Sequence, residues 1–410
     1  MPLPSEKEEV WRYTPIDELR LDDYSPVLPS AAAVDPGSTA DPLSSAFLRG
    51  IADDVPGRAA LVSVRDGRVG TVERTSVQPS VTIGSITTSD DPTLLGSVLV
   101  GGDTLVRLND AFHPDGLLVD VPAGVIVEGP IVVVHWCGGG PVGGLAPASF
   151  PRTVVRLGAG ASASVVEVMA GAPGEERALV VPVTELLAGD GSQLSYVSFQ
   201  VLGTAAWHLG RIAASAGRDA TLQTFSLGLG GAYDRSRTDA RASGQGSSTA
   251  LRSAYLGTGT QVHDVRTLQD HAAPRTTSDL LCKGAVAGSS RSVYSGLIRV
   301  RRGAVRTQAF QTNNNLVLDA RAHADSVPNL DIEENDVRCS HASTVGPIDE
   351  DQRYYLESRG VTPEGAKRLI VLGFFDDIVE RAPVSAVVPR LRREVGLRLA
   401  IALGMDRADG

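Results

Sequence analysis

Thiolate and imidazole are the side chains best suited to holding iron or zinc, and this chain places one of each two residues apart in Arg338-Cys339-Ser340-His341. On a strand, positions i and i+2 point the same way, so Cys339 and His341 form a candidate donor pair. Taken alone, a Cys-x-His pair is more often ordinary packing than a metal site. Just upstream, Asp331, Glu333, Glu334 and Asp336 cluster, and paired acids are the machinery of glycoside cleavage. A β-helix polysaccharide lyase or glycosidase is therefore an alternative reading, although sugar grooves want aromatic platforms and Trp occurs only at 11, 136 and 207. His263 and His271 suit turns or buried polar networks, and Asn313, Asn314 and Asn315 suit turn or ladder positions. Lys283 stands out as one of three lysines, with Lys7 and Lys367. Three cysteines, Cys137, Cys282 and Cys339, make no disulfide framework and read as free thiols. GxxxxGK[ST], GxSxG, HExxH and CxxC have no match, so any ATP chemistry must come from another chain, and serine hydrolase, zincin and zinc-ribbon readings lose their simplest supports.

The elements that would position these groups follow from composition and spacing. The chain has 410 residues, 42% hydrophobic and 21% charged, a balance of globular rather than disordered or membrane proteins. No run approaches the ~18 apolar residues of a spanning helix. The opening MPLPSEKEEV is acidic and has no secretory pattern, which predicts a cytoplasmic protein. A net charge of −10 argues against a nucleic-acid-binding surface.

Three regions differ in texture: a mixed, partly helical stretch over 1–100, a Gly-punctuated β region over 101–345, and a helical region over 346–410. In the first, Thr14-Pro15-Ile16-Asp17 predicts a helix start capped by Thr14. In the second, LGAGASASVVEV (157–168), LAGDGSQLSYVSF (187–199), ASAGRDATLQTFSL (214–227) and ASGQGSSTALRSAYL (242–256) share one plan. Aligned on Gly160, Gly191, Asp219 and Gly246, they recur at 31, 28 and 27 residues, a spacing that suits solenoid coils. A parallel β-helix with a narrow interior explains the small side chains, since a large aromatic would not fit; an antiparallel sandwich or meander is the competing arrangement. The repeat slips between Gly246 and Gly288, which predicts a hairpin excursion there. In the third region, helices are expected over 349–358, from the Thr362 cap to Pro383, and over 387–403.

The run DIEENDVRCSHASTVGPIDEDQRYYLESRGV (331–361) resembles the carboxy-terminal signature of the SufB/SufD family of iron–sulfur cluster assembly scaffolds, on its SufD side. EEVWRYTPIDEL (8–19), DHAAPRTTSDLLCKG (270–284) and RGAVRTQAFQTNNNLVLDARAHADSVPNLDI (302–332) are similar to further segments of that family. The resemblance implies a mainly β chain, a right-handed parallel β-helix between an N-terminal mixed region and a C-terminal helical region, without an active site of its own. It implies pairing with a SufB-like subunit through the β-helix and with a SufC-like ABC ATPase through the carboxy-terminal helices, with Leu369, Ile370, Phe374 and Phe375 as contact candidates. It implies a transient iron–sulfur cluster shared with SufB, with His341 as candidate ligand and Cys339 as a weaker one, and a flavin in the assembled complex. The SufB side carries a key cysteine where this chain has about Asn313, and a glutamate where it has Cys339–Ser343; both are absent here, which disfavours a SufB-like scaffold that holds a cluster alone. Lys283 falls in the family's Lys-Gly element, on the SufB side part of a proposed sulfur path, and is expected to be structural here.

Overall fold

The computed structural model describes residues 4–28, 50–51, 53–89, 91, 93–99, 103–138, 142–171 and 174–404. The expected boundary at 100–101 lies outside them. The chain winds into a parallel β-solenoid of about seven coils. Each coil gives one strand to each of two sheets, so a strand pairs with its counterpart one coil away rather than with its sequence neighbour. One sheet stacks Arg152–Leu157, Val183–Ala188, Ala206–Ala216, Tyr233–Ala242, Val262–His271, Arg291–Val300 and His323–Ile332. The other stacks Ser162–Gly171, Gln193–Val201, Thr221–Gly228, Ser248–Gly257, Thr277–Val286, Thr307–Val317 and Val337–Gly346.

The coils turn at equivalent points. Gly160, Gly191, Asp219, Gly246, Arg275 and Arg306 all adopt positive φ, and the N–H of each donates to a carbonyl of the next coil's turn: Asp190, Arg218, Gln245, Pro274, Val305 and Asp336 in order. The expected hairpin excursion after Gly246 is therefore corrected. The register Ser248↔Thr277 runs on unbroken, and Arg275 occupies the position that Gly160, Gly191 and Gly246 fill in other coils, where only glycine escapes a Cβ penalty.

The lumen is lined by Val165, Leu194, Leu222, Leu251 and Leu280 from one sheet and Leu186, Ile212, Ala240 and Val265 from the other. It also holds Tyr196, Tyr255 and Tyr294, contrary to the expected exclusion of aromatics. Glycines make the room: a Cβ at Gly284 would collide with the Tyr255 ring, and one at Gly296 with the Tyr294 hydroxyl.

The two ends differ. At the amino-terminal end, Arg68–Arg74 and Thr82–Ser85 pair antiparallel with Ala60–Arg65 and Leu117–Val121 and finish the sheets. At the other end, among the described residues, His323–Ile332 and Val337–Gly346 are the last strands of their sheets, and each has a single ladder neighbour.

Helix α1 spans Thr104–Phe112, α2 Glu350–Ser358, α3 Pro363–Val379 and α4 Val388–Ala402. Asp349 caps α2, and Thr362 caps α3 by accepting from Gly365 N, as Ser/Thr/Asp at an N-cap should. Helices α3 and α4 lie on the outer face of the second sheet, where Val371, Phe375, Ile378, Leu391, Val395 and Leu399 pack with Val197, Phe199, Phe225 and Leu227. Each such side chain contributes about 1.5–3 kcal/mol on full burial. The amino-terminal segment covers the outer face of the first sheet through Trp11, Ile16 and Tyr24, and the Arg235 guanidinium sits 3.7 Å over the Trp11 ring. The expected Thr14-capped helix is a single 3-10 turn, Ile16–Glu18, and the Thr14 hydroxyl donates to Trp11 O instead. Among the described residues no helix is long and apolar enough to cross a membrane.

Candidate functional site

Cys339 and His341 both lie on Val337–Gly346, the terminal strand of its sheet. Register places Cys339 on Ala309, His341 on Gln311 and Ser343 on Asn313. Burial alternates in the strand beneath, with Ala309, Gln311, Asn313 and Asn315 buried, so odd positions face the lumen and the parity carries up to the last coil. Cys339 is half-buried against Ile298, Val300, Ala304 and Ala309, and burial raises its thiol pKa. His341 is exposed. The pair shares one side of one strand, as its spacing requires. Facing it across the mouth of the lumen, Leu330 is 40% exposed and Ile332 nearly as much, and Val345 is exposed on the near side.

A polar track runs inward from this mouth. Ser343 Oγ donates to Ser326 Oγ (2.7 Å), Ser326 Oγ donates to Asn313 Oδ1 (2.7 Å), and Asn315 Nδ2 donates to the same oxygen (2.7 Å). Tyr255 donates its hydroxyl to Asn315 Oδ1, and Asn313 Nδ2 donates to Cys282 O at 3.3 Å. Burial pushes the Cys282 thiol up to about 12, so it is no nucleophile at neutral pH. Asn313 stands where the SufB side is expected to carry cysteine, and here it is a buried hydrogen-bonding hub.

Deeper still, Asp234 joins His208 Nδ1 (2.7 Å) to His263 Nδ1 (3.0 Å). Burial raises the Asp234 pKa, but the two imidazole bonds outweigh it and leave the carboxyl below its ordinary range. Glu167 is likewise fully buried; the opposing push of burial is overcome by His135 at 2.6 Å and by Tyr196 and Thr153. His208 lines a lumen cavity of about 50 Å3 with Tyr196, Ser226, Ser236 and Ser253. His271 is held between Thr276 and Ser278.

The carboxylate cluster does not converge. Asp331 pairs with Arg299 at 2.9 Å, Asp336 with Arg306 at 3.6 Å, and Glu333 and Glu334 accept from the Arg302 and Gly303 N–H groups one coil below. Among the described residues no group of three His, Cys, Asp or Glu side chains is placed to hold a metal ion.

The four helical candidates separate. Phe375 is 1% exposed and belongs to the chain's own core, Ile370 and Phe374 are half-buried against it, and Leu369 is 52% exposed. The exposed Tyr354 and Tyr355 of α2 were not singled out from sequence, and only their lack of apolar companions at helical spacing could have marked them. Lys283 points away from the lumen: its Nζ donates to Phe374 O (3.0 Å), pairs with Asp377 (2.7 Å) and lies 4.6 Å from the Phe374 ring centre. Lys367 donates to Leu318 O at 2.9 Å. Two of the three lysines thus fasten α3 to the solenoid.

Residues 142–374 match the family model described as SUF system FeS cluster assembly, SufBD core domain. The chain is 26% identical to the iron–sulfur cluster assembly protein SufD of Escherichia coli over 97% of its own length and 89% of that protein. It is 28% identical to SufD of Bacillus subtilis over 72% of its length and 66% of that protein. It is 39% identical to an iron–sulfur cluster assembly SufBD family protein of Mycobacterium leprae over 47% of its length and 52% of that protein.

Proposed function

Because this chain belongs to the SUF-system iron–sulfur cluster assembly family defined by the SufBD core domain, we propose that it is a non-catalytic scaffold subunit whose open solenoid end pairs with a SufB-like subunit. The observation that carries this reading is the mouth itself. Among the described residues, two bare parallel edges and a ring of exposed lumen-type side chains, Leu330, Ile332 and Val345, end the solenoid, whereas its other end is finished by antiparallel strands. Unpaired edges are normally blunted or covered, and a second solenoid end would cover both the edges and the apolar ring.

In this reading the nascent cluster, the cargo of the assembly, forms at that junction. His341 supplies one donor, Cys339 a second, and the partner the rest, since a cluster wants about four. A SufC-like ATPase docks on the exposed side of α2 and α3, at Leu369, Tyr354 and Tyr355, and α3 passes its movement to the solenoid through Lys283. A flavin of the assembled complex would not occupy the cavity beside His208, whose volume of about 50 Å3 is too small for an isoalloxazine ring.

Co-expression with SufB-like and SufC-like chains tests the scaffold reading, with a stable complex expected. Failure to bind either removes it. His341→Ala is expected to leave the complex intact and to lower cluster formation by roughly tenfold or more, the loss of one ligand; unchanged formation removes His341 from the mechanism. The isolated chain is expected to stay colourless after anaerobic reconstitution, and strong visible absorbance would favour a self-sufficient scaffold instead.

A further inference from the structure

Directly beneath His341 lies a buried amide that the fold leaves without a partner. Gln311 is 1% exposed, and neither its Nε2 nor its Oε1 has a hydrogen-bond partner among the described residues. An unpaired buried amide works against stability, so its presence asks for a reason. Its neighbourhood preserves it. Across the lumen stands Gly296, where a Cβ would come within 2.5 Å of Gln311 Nε2, so the amide has its space only because position 296 carries no side chain.

One coil above, the ladder sets His341 in register on Gln311, with strands about 4.8 Å apart. Both residues share the lumen-facing parity established by Cys339 on Ala309 and by Ser343 bonded to Ser326. His341 itself makes no side-chain hydrogen bond among the described residues. A buried orphan amide and an exposed, unrestrained imidazole thus occupy successive rungs of one ladder.

We propose that Gln311 is a positioning residue for His341. When the partner closes the mouth, the imidazole turns inward and one ring N–H donates to Gln311 Oε1. That bond selects a single tautomer and leaves the other ring nitrogen unprotonated toward the junction, the arrangement a ligating histidine needs. The inference rests on the role proposed above for His341.

The test uses the full complex and the isolated chain, each with 15N-labelled histidine, and identifies the His341 ring signals by difference from His341→Ala. In the wild-type complex a single tautomer is expected. Gln311→Leu should restore a tautomer mixture and lower cluster formation several-fold, while the melting temperature of the isolated chain stays level or rises. Gln311→Glu, which keeps an acceptor at the same place, should bring back the single tautomer. A His341 tautomer that is identical in wild type and Gln311→Leu overturns the proposal. So does a melting temperature several degrees lower in Gln311→Leu, the mark of a merely structural glutamine. The tautomer readout does not need a cluster: if it depends on Gln311 while His341→Ala assembles clusters normally, the positioning role stands and the cluster reading falls.

Discussion

His271 shows how far burial alone can set a side chain's chemistry. Enclosed in the lumen between Thr276 and Ser278, it has its pKa pushed down to about 4 by burial, with Asp270 opposing weakly. The folded chain therefore refuses a proton that the unfolded chain accepts near the ordinary histidine value of about 6.5. Stability is complete above about pH 6.5, falls as the pH drops toward 4, and loses on the order of 2–3 kcal/mol across that window from this group. His271→Gln keeps hydrogen-bonding capacity without titrating. Melting curves between pH 7.5 and 4.5 should show a shallower acid-side decline for the variant, and equal slopes would mean that His271 is not the group responsible. His263, on the same strand, instead meets the buried Asp234 carboxylate of the neighbouring coil; two histidines that read alike in sequence differ through what that coil brings.

The turns and helices obey local rules with a few instructive exceptions. Arg275 takes φ +58 in a position where three other coils use glycine and two use Asp219 and Arg306, and an L-residue there is strained by about 1–2 kcal/mol. Arg275→Gly relieves that strain, partly offset by the greater freedom glycine gains on unfolding, so a gain of about 0.5–1 kcal/mol in denaturant unfolding is expected; a loss would show that the Arg275 side chain itself holds the turn. The same residue explains why the repeat is hard to follow past Gly246: its anchors, Gly160, Gly191, Asp219 and Gly246, are residue types that favour turns, and the next coil turns on an arginine. The starts of α2 and α3, in contrast, were legible to the residue, because Asp349 and Thr362-Pro363 act within one turn of chain, whereas α3 ends at Val379, short of the expected stop at Pro383. Tyr255 and Tyr294 run against the expectation of a lumen without aromatics because their space comes from Gly284, on the strand stacked against that of Tyr255, and from Gly296, two residues along the strand of Tyr294 itself.

At the scale of the assembled fold, the solenoid has one finished end, one bare end and a helical pair clasped to its flank by Lys283 and Lys367. If the bare end and the α2–α3 face serve two partners, damage to each should be separable. Leu330→Lys is expected to abolish association with the SufB-like chain while leaving binding of the SufC-like chain and the fold's stability within about 0.5 kcal/mol, as surface changes usually do. Leu369→Asp should do the converse. Pull-down from co-expressed chains, with melting temperatures as the control for folding, decides it; loss of both partners from either variant would show that the two surfaces are coupled.

By itself, the sequence determined a Gly-punctuated β region with a coil-like repeat, a carboxy-terminal helical region with its N-caps at Asp349 and Thr362, and the strand that pairs a thiol with an imidazole. All of these depend on periodicity, parity and capping, which act over a few residues. Only the tertiary structure decided that the pair sits at an uncovered mouth, that Gln311 lies under His341 with its amide unpaired, and that Asn313 is a lumen hub. It alone separated buried Phe375 from exposed Leu369 and turned Lys283 outward onto α3. Those outcomes depend on which coil stacks on which and on where the stack ends, and neither is encoded in any single strand.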